Sequence, residues 1–127
     1  LMRHSFLLAP PGLGPIVAGG AVGASIRFGL LELLPAGQPL WGLLVVNGVG
    51  CLMIGWLRGA DPEPRPASTS LTTGFCGGLT TFSTVSVEAA LLLDQGRAGL
   101  MVVYLVACLV TGLGLVVLGQ QLRTATT

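Results

Sequence analysis

Lysine is absent from this 127-residue chain, and charge of any kind is scarce: 9% of residues, as six arginines and five acidic side chains. A soluble domain carries about 25% charge, and eleven charged side chains cannot clothe a core in water. The net charge of +1 leaves no basic surplus to neutralise phosphates, which excludes a nucleic-acid partner. Histidine occurs once, as His4, so there is neither a metal cluster nor a nucleophile–base pair around it. With no cofactor motif either, the expectation is a protein that is not an enzyme. Cys51, Cys76 and Cys108 show no C-x-x-C spacing, which argues against a disulfide framework or a zinc site. They read as small buried apolar side chains. What is abundant is apolar surface, 52% of residues, together with 20 glycines. Lipid, not water, faces most of this chain.

The few charges cut the sequence into uncharged stretches over residues 5–26, 33–57, 66–87 and 98–122. A helix needs about 20 residues to cross a hydrocarbon core of about 30 Å, so four stretches predict four crossings. The helices are expected near 15–34, 40–58, 69–94 and 98–123, forming a single all-α membrane domain over residues 1–127. Punctuation agrees with this division. Residues 35–39 (PAGQP) are a proline-bounded turn, residues 59–66 (GADPEPRP) form the hydrophilic loop, and residues 94–97 (DQGR) form a tight turn. Trp41 and Trp56 lie about 22 Å apart along the second helix, as interfacial anchors would. Arg3, His4 and the apolar run after them imitate a secretory signal, but Pro10, Pro11 and Pro15 interrupt it. An uncleaved start is expected. If the amino terminus and the 59–66 loop share a side, that side holds Arg3, Arg58, Arg65 and Arg123, against Arg97 and at most Arg27 opposite. The bias predicts a multi-pass protein of the cell membrane with both termini in the cytoplasm.

Polar residues inside the spans carry the chemistry. Arg27 follows a run of small residues, Gly19, Gly20, Gly23 and Ala24. It is either a snorkelling arginine or a fixed positive charge that gathers anions at a vestibule. Asn47, mid-way along the second span, is either interhelical glue or an NH2 donor for an anion that has shed water. The third span holds ten hydroxyls between Ser68 and Ser86, with Gly74, Gly77 and Gly78 just before Thr80 and Thr81. This composition predicts a helix broken near its centre, with Thr80 or Thr81 capping the second half. A break at membrane depth persists only in protein or beside a cavity. Its carbonyls could hold a small hard cation such as Na+, and its hydroxyls with the edge of Phe82 could line an anion path. Glu88 either tunes entry or marks the interface. Tyr104 is either an interfacial ring or a pore-facing hydroxyl.

Three segments together resemble the Fluc/CrcB family of fluoride channels: Gly20-x-x-Gly23-Ala24-x-x-Arg27, then Val46-Asn47 with Gly48 and Gly50, then Gly74-Phe75-Cys76-Gly77-Gly78-Leu79-Thr80-Thr81-Phe82-Ser83-Thr84. The resemblance covers almost the whole chain. It implies a dual-pore channel of two antiparallel subunits that lets fluoride leave the cell passively and so relieves its toxicity. It also implies a structural Na+ held by the carbonyls of Gly77 and Thr80. Asn47, Phe82, Ser83, Thr84 and Tyr104 would lie along the anion paths, with Arg27 near a vestibule. The transport has a physical logic: hydrogen fluoride enters as a neutral molecule, ionises in the cytoplasm, and the trapped anion needs an exit. A selective pore must then replace water with amides, hydroxyls and aromatic edges at close quarters.

Two positions depart from that family's pattern. Val85 stands where a second phenylalanine usually follows, and Cys108 where serine is common one turn after the tyrosine. Together with the arginine bias, these departures suggest a partner that is a paralogous subunit inserted the opposite way, in place of an identical copy. Other readings explain less. A small proton-coupled multidrug exporter requires a membrane-embedded carboxylate, whereas Glu32 and Glu88 lie near helix ends. A non-transporting assembly subunit explains the glycines but not Asn47 or the hydroxyls.

Overall fold

The computed structural model describes residues 13–33, 39–59 and 66–126. Five helices follow one another: α1 (Leu13–Glu32), α2 (Pro39–Arg58), α3 (Pro66–Leu79), α4 (Phe82–Asp94) and α5 (Ala98–Thr126). The third span is the pair α3 and α4, so among the described residues four stretches are long and apolar enough to cross a membrane. The first helix begins two residues before its expected start, and the last runs three residues beyond its expected end. Arg3, His4, Pro10 and Pro11, residue 34, the turn at 35–38 and residues 60–65 with Arg65 lie outside the described residues.

Glycine decides which helices meet. A Cβ at Gly74 would strike the Ile16 carbonyl, and one at Gly78 the Gly20 carbonyl. From the facing side, a Cβ at Gly23 would strike the Phe75 carbonyl. The contacts advance by four residues in the same direction on both helices, so α1 and α3 run parallel with their backbones touching. The small-xxx-small pattern permits that approach, and it brings Cα–H groups against carbonyls across the seam. A second parallel pair is built in the same way. Gly55 abuts the Val116 carbonyl, Gly59 abuts the Gln120 backbone, and Gly119 abuts the Leu52 carbonyl, which joins α2 to α5. The end of this pair is fastened by Arg123, whose guanidinium carbon lies 4.6 Å above the Trp56 ring.

Between the pairs, α2 touches α3 and α4, while α1 reaches neither α4 nor α5 among the described residues. The chain turns from α4 into α5 without a linker. Gly96 takes φ of 72°, its amide bonds the Leu93 carbonyl at 3.0 Å, and the Arg97 amide bonds the Leu92 carbonyl at 2.8 Å. This paired closure of a helix end uses the left-handed conformation that glycine adopts without strain. The buried core is small. Val85, Leu92 and Tyr104 form one cluster, with Leu40, Met101 and Cys108 packed against it. Most other large apolar side chains on α1 and α5 face outward, as suits helices bathed in lipid.

Candidate functional site

Interrupting α3 and α4 frees four carbonyls, those of Gly77, Gly78, Leu79 and Thr80, and four amides, those of Thr81 to Thr84. Their partners show how the break is held. Thr81 is extended (φ −147°, ψ 124°) and caps α4, its hydroxyl accepting from the Thr84 amide at 3.2 Å. That is the cap expected from the threonine pair. Asn47 on α2 engages both sides of the same residue: the Thr81 amide donates to Asn47 Oδ1 at 2.8 Å, and Asn47 Nδ2 donates to the Thr81 carbonyl at 3.1 Å. One turn along, Gly50 leaves room for the Thr80 methyl, so α2 seats the break on its own surface.

Arg27 closes the opposite side. Its Nη1 donates to the Gly78 carbonyl and to the Thr80 carbonyl, each at 2.9 Å. Both acceptors belong to the C-terminal end of α3, where carbonyls concentrate negative partial charge. The close seam between α1 and α3 brings the guanidinium there. The break falls where it was expected, and the glycines before it have a further use. Gly74, Gly77 and Gly78 all remain helical, and among the described residues only Gly96 has a positive φ. Gly74 and Gly78 admit α1, whereas Gly77 has open space where a Cβ would sit.

The remaining polar atoms gather beside the cap. The Thr81 hydroxyl lies 3.1 Å from the Ser83 hydroxyl and 3.0 Å from that of Thr84. The Thr80 hydroxyl turns back to the Cys76 carbonyl at 2.9 Å. A cavity of about 320 Å³ opens at the break, lined by Asn47, Thr80, Thr81, Phe82, Val85 and Cys108 among others. Its wall is mostly apolar with a few convergent polar groups, the usual composition of a binding pocket.

The expected site residues thus fall into three groups. Asn47, Thr80 and Phe82 line this cavity, and Ser83 and Thr84 stand next to it through the hydroxyl cluster. Phe82 is 81% exposed, which leaves its ring available to whatever packs on this face. Tyr104 lines a separate cavity, and its buried hydroxyl makes no well-aligned hydrogen bond, with the Cys108 thiol beside it. Glu88 is half-buried one turn beyond Thr84, and Gly77 is exposed at the end of α3. Val85, at the position where a second aromatic ring was missed, is 3% exposed and packs with Tyr104. Among the described residues no group of three or more His, Cys, Asp or Glu side chains comes together.

Comparison with known proteins adds independent information. Residues 15–120 match the family described as "CrcB-like protein, Camphor Resistance (CrcB)". The chain is 43% identical over 103 residues to the fluoride-specific ion channel FluC 2 of Geobacillus kaustophilus, covering 74% of this chain and 78% of that relative. It is 40% identical over 115 residues to FluC 2 of Symbiobacterium thermophilum, with 84% and 93% covered. To FluC 1 of Mycolicibacterium paratuberculosis it is 38% identical over 117 residues, with 87% and 88% covered.

Proposed function

Because the chain belongs to the CrcB family, we propose that it is a fluoride-selective channel that lets the anion leave the cell down its gradient and so lowers cytoplasmic fluoride. The observation that carries the reading is the break in the third span. Two side chains from other helices, Asn47 and Arg27, are spent on holding a helix open at membrane depth. An unbroken helix would satisfy those backbone groups unaided, so the opening has a use. At that opening a fluoride ion meets the Thr81, Ser83 and Thr84 hydroxyls, the second N–H of Asn47 and the positive edge of Phe82. These groups replace hydration, and the apolar remainder of the cavity excludes water.

Assembly follows from what one chain leaves exposed. Phe82, Ser83 and Gly77 face outward although they belong to the polar centre, so a second chain inserted antiparallel completes the paths. The partner is a paralogous subunit. Arg27 is committed at the break and counts for neither side, which leaves Arg3, Arg58, Arg65 and Arg123 opposed by Arg97 alone. Such a bias fixes one orientation, with the termini in the cytoplasm. The relatives' names are numbered FluC 1 and FluC 2, which fits paired chains.

The donor chemistry at the break fits a Na+ ion. The Thr81 amide, which would bond the Gly77 carbonyl in an unbroken helix, donates to Asn47 instead. The Thr80 carbonyl keeps a second lone pair beside its bond from Arg27. Gly77 and Thr80 of both chains would hold the ion, which supplies a fixed charge that ties the two breaks together.

The test is electrode-monitored release of fluoride, with chloride as control, from vesicles holding this chain alone or with an oppositely inserted paralogue. Fast fluoride release with the pair, slow release with the single chain and no chloride release are expected. Equal rates for both preparations would refute the paralogous partner. Absence of fluoride release from either would refute the channel.

A further inference from the structure

Four arginines lie among the described residues, and three are already engaged. Arg27 bonds two carbonyls at the break, Arg58 donates to the Thr73 hydroxyl at 3.0 Å, and Arg123 stacks on Trp56. The exception is Arg97. Its side chain is exposed and makes no hydrogen bond or ion pair among the described residues, although Asp94 is three positions away. It is not idle in space, however. The closed turn at Gly96 sets Arg97 immediately before α5, and the residue lines a cavity of about 310 Å³ together with Trp41, Leu44, Leu92, Val103 and Tyr104.

This second cavity leads inward. Tyr104 lies seven residues along the chain from Arg97, about 10 Å down the helix. Its buried hydroxyl makes no well-aligned hydrogen bond, and the side chain that reaches it is the Cys108 thiol, a weak partner. In an apolar cluster a hydroxyl so weakly paired is costly, and a ligand that accepts its proton would relieve the cost. Beyond Tyr104, Val85 and Cys108 belong both to the Tyr104 cluster and to the wall of the cavity at the break, and Leu44 lines both cavities. The two spaces therefore share a wall, with a free positive charge at the far end of one and the polar break at the far end of the other.

We propose that Arg97 is the charge that receives the anion at the end of the pathway remote from the termini, drawing fluoride past the Tyr104 hydroxyl and out through the second cavity. The inference rests on the channel reading and adds a residue and an outer mouth to it. It also moves the vestibule charge from Arg27, whose Nη1 is engaged by two carbonyls at the break, to an arginine that sequence reading treated only as a topology marker. A unit charge about 4 Å from the approach in water enriches a monovalent anion about fivefold. Salt removes the effect, because the screening length falls from about 30 Å at 0.01 M to about 3 Å at 1 M.

The experiment compares wild type, Arg97→Gln and Arg97→Lys in whichever vesicle preparation releases fluoride, at low and high concentrations of an impermeant salt. At low salt Arg97→Gln should slow efflux about three- to fivefold while Arg97→Lys keeps the wild-type rate, and at 1 M salt the three rates should converge. Equal rates for wild type and Arg97→Gln at low salt would overturn the proposal. So would a deficit that survives high salt or is shared by Arg97→Lys, because both mark a structural role. A wild type that conducts in no preparation removes the channel reading itself, an outcome distinct from a conducting channel indifferent to residue 97.

Discussion

Replacing Arg27 by leucine separates two accounts of a charge at membrane depth by the sign of one number. If the arginine merely snorkels, its removal relieves an insertion cost of about 2.5–3.5 kcal/mol, and the protein becomes more stable by that amount. In this structure the same side chain makes two charge-assisted bonds of 2.9 Å to the Gly78 and Thr80 carbonyls. Such bonds contribute about 1.5–3 kcal/mol each, so losing both costs about 3–6 kcal/mol and strands two carbonyls in a water-poor site. The difference is a net destabilisation centred near about 1.5 kcal/mol, roughly tenfold in the unfolding equilibrium. Reversible unfolding in mixed micelles reads the number directly. Fluoride efflux should fall much more than stability does, because the end of α3 is no longer held against α1. A leucine variant more stable than wild type by about 2 kcal/mol, with unchanged efflux, would refute the clamp.

Asn47→Asp retains an acceptor for the Thr81 amide but sets a carboxylate oxygen where Nδ2 lies 3.1 Å from the Thr81 carbonyl; efflux should drop at least tenfold in the vesicle assay, and an unchanged rate would remove Asn47 from the site. Gly78→Ala drives a methyl into the Gly20 carbonyl and should cost about 2 kcal/mol or more by the same unfolding measurement, since backbone cannot yield as a side chain can. Gly77→Ala meets open space, so stability in the micelle should change by less than about 1 kcal/mol, while Na+-dependent pairing of chains, followed by crosslinking, should weaken. Val85→Phe enlarges a residue that is 3% exposed and should lower stability by about 1–3 kcal/mol; a variant that is neutral would mean the cluster around Tyr104 is looser than described.

Spans and the turn at 94–97 were legible because lipid imposes a length and because most of the sparse charges fall at or between the ends of the spans. The broken third span was legible for a local reason: Thr80 and Thr81 after a glycine-rich stretch spell a helix cap, and capping is decided within four residues. Interhelical bonding was one of the two roles read for Asn47, but the partners of Arg27 and Asn47 were not legible. Their acceptors lie 51 and 34 residues away along the chain, and only the pairing of helices brings them together. The glycines of the third span were read only as allowing the break, because composition reports low helix propensity, whereas contact between α1 and α3 is a property of two segments at once. Cys108 and Val85 were flagged as departures along a path. Their actual surroundings, a packed cluster with Tyr104, depend on how α4 leans on α5.

The two glycine seams join spans that are not neighbours in the chain: the first with the third, and the second with the fourth. During synthesis the first span therefore enters the bilayer well before its mate exists, carrying an arginine with nothing to hold. Only when residues 71–80 emerge can that side chain find its carbonyls, and the second span waits longer still for α5. Biogenesis of this small protein is thus a matter of delayed partnering, in which the insertion machinery or surrounding lipid headgroups must tolerate Arg27 until the third span arrives.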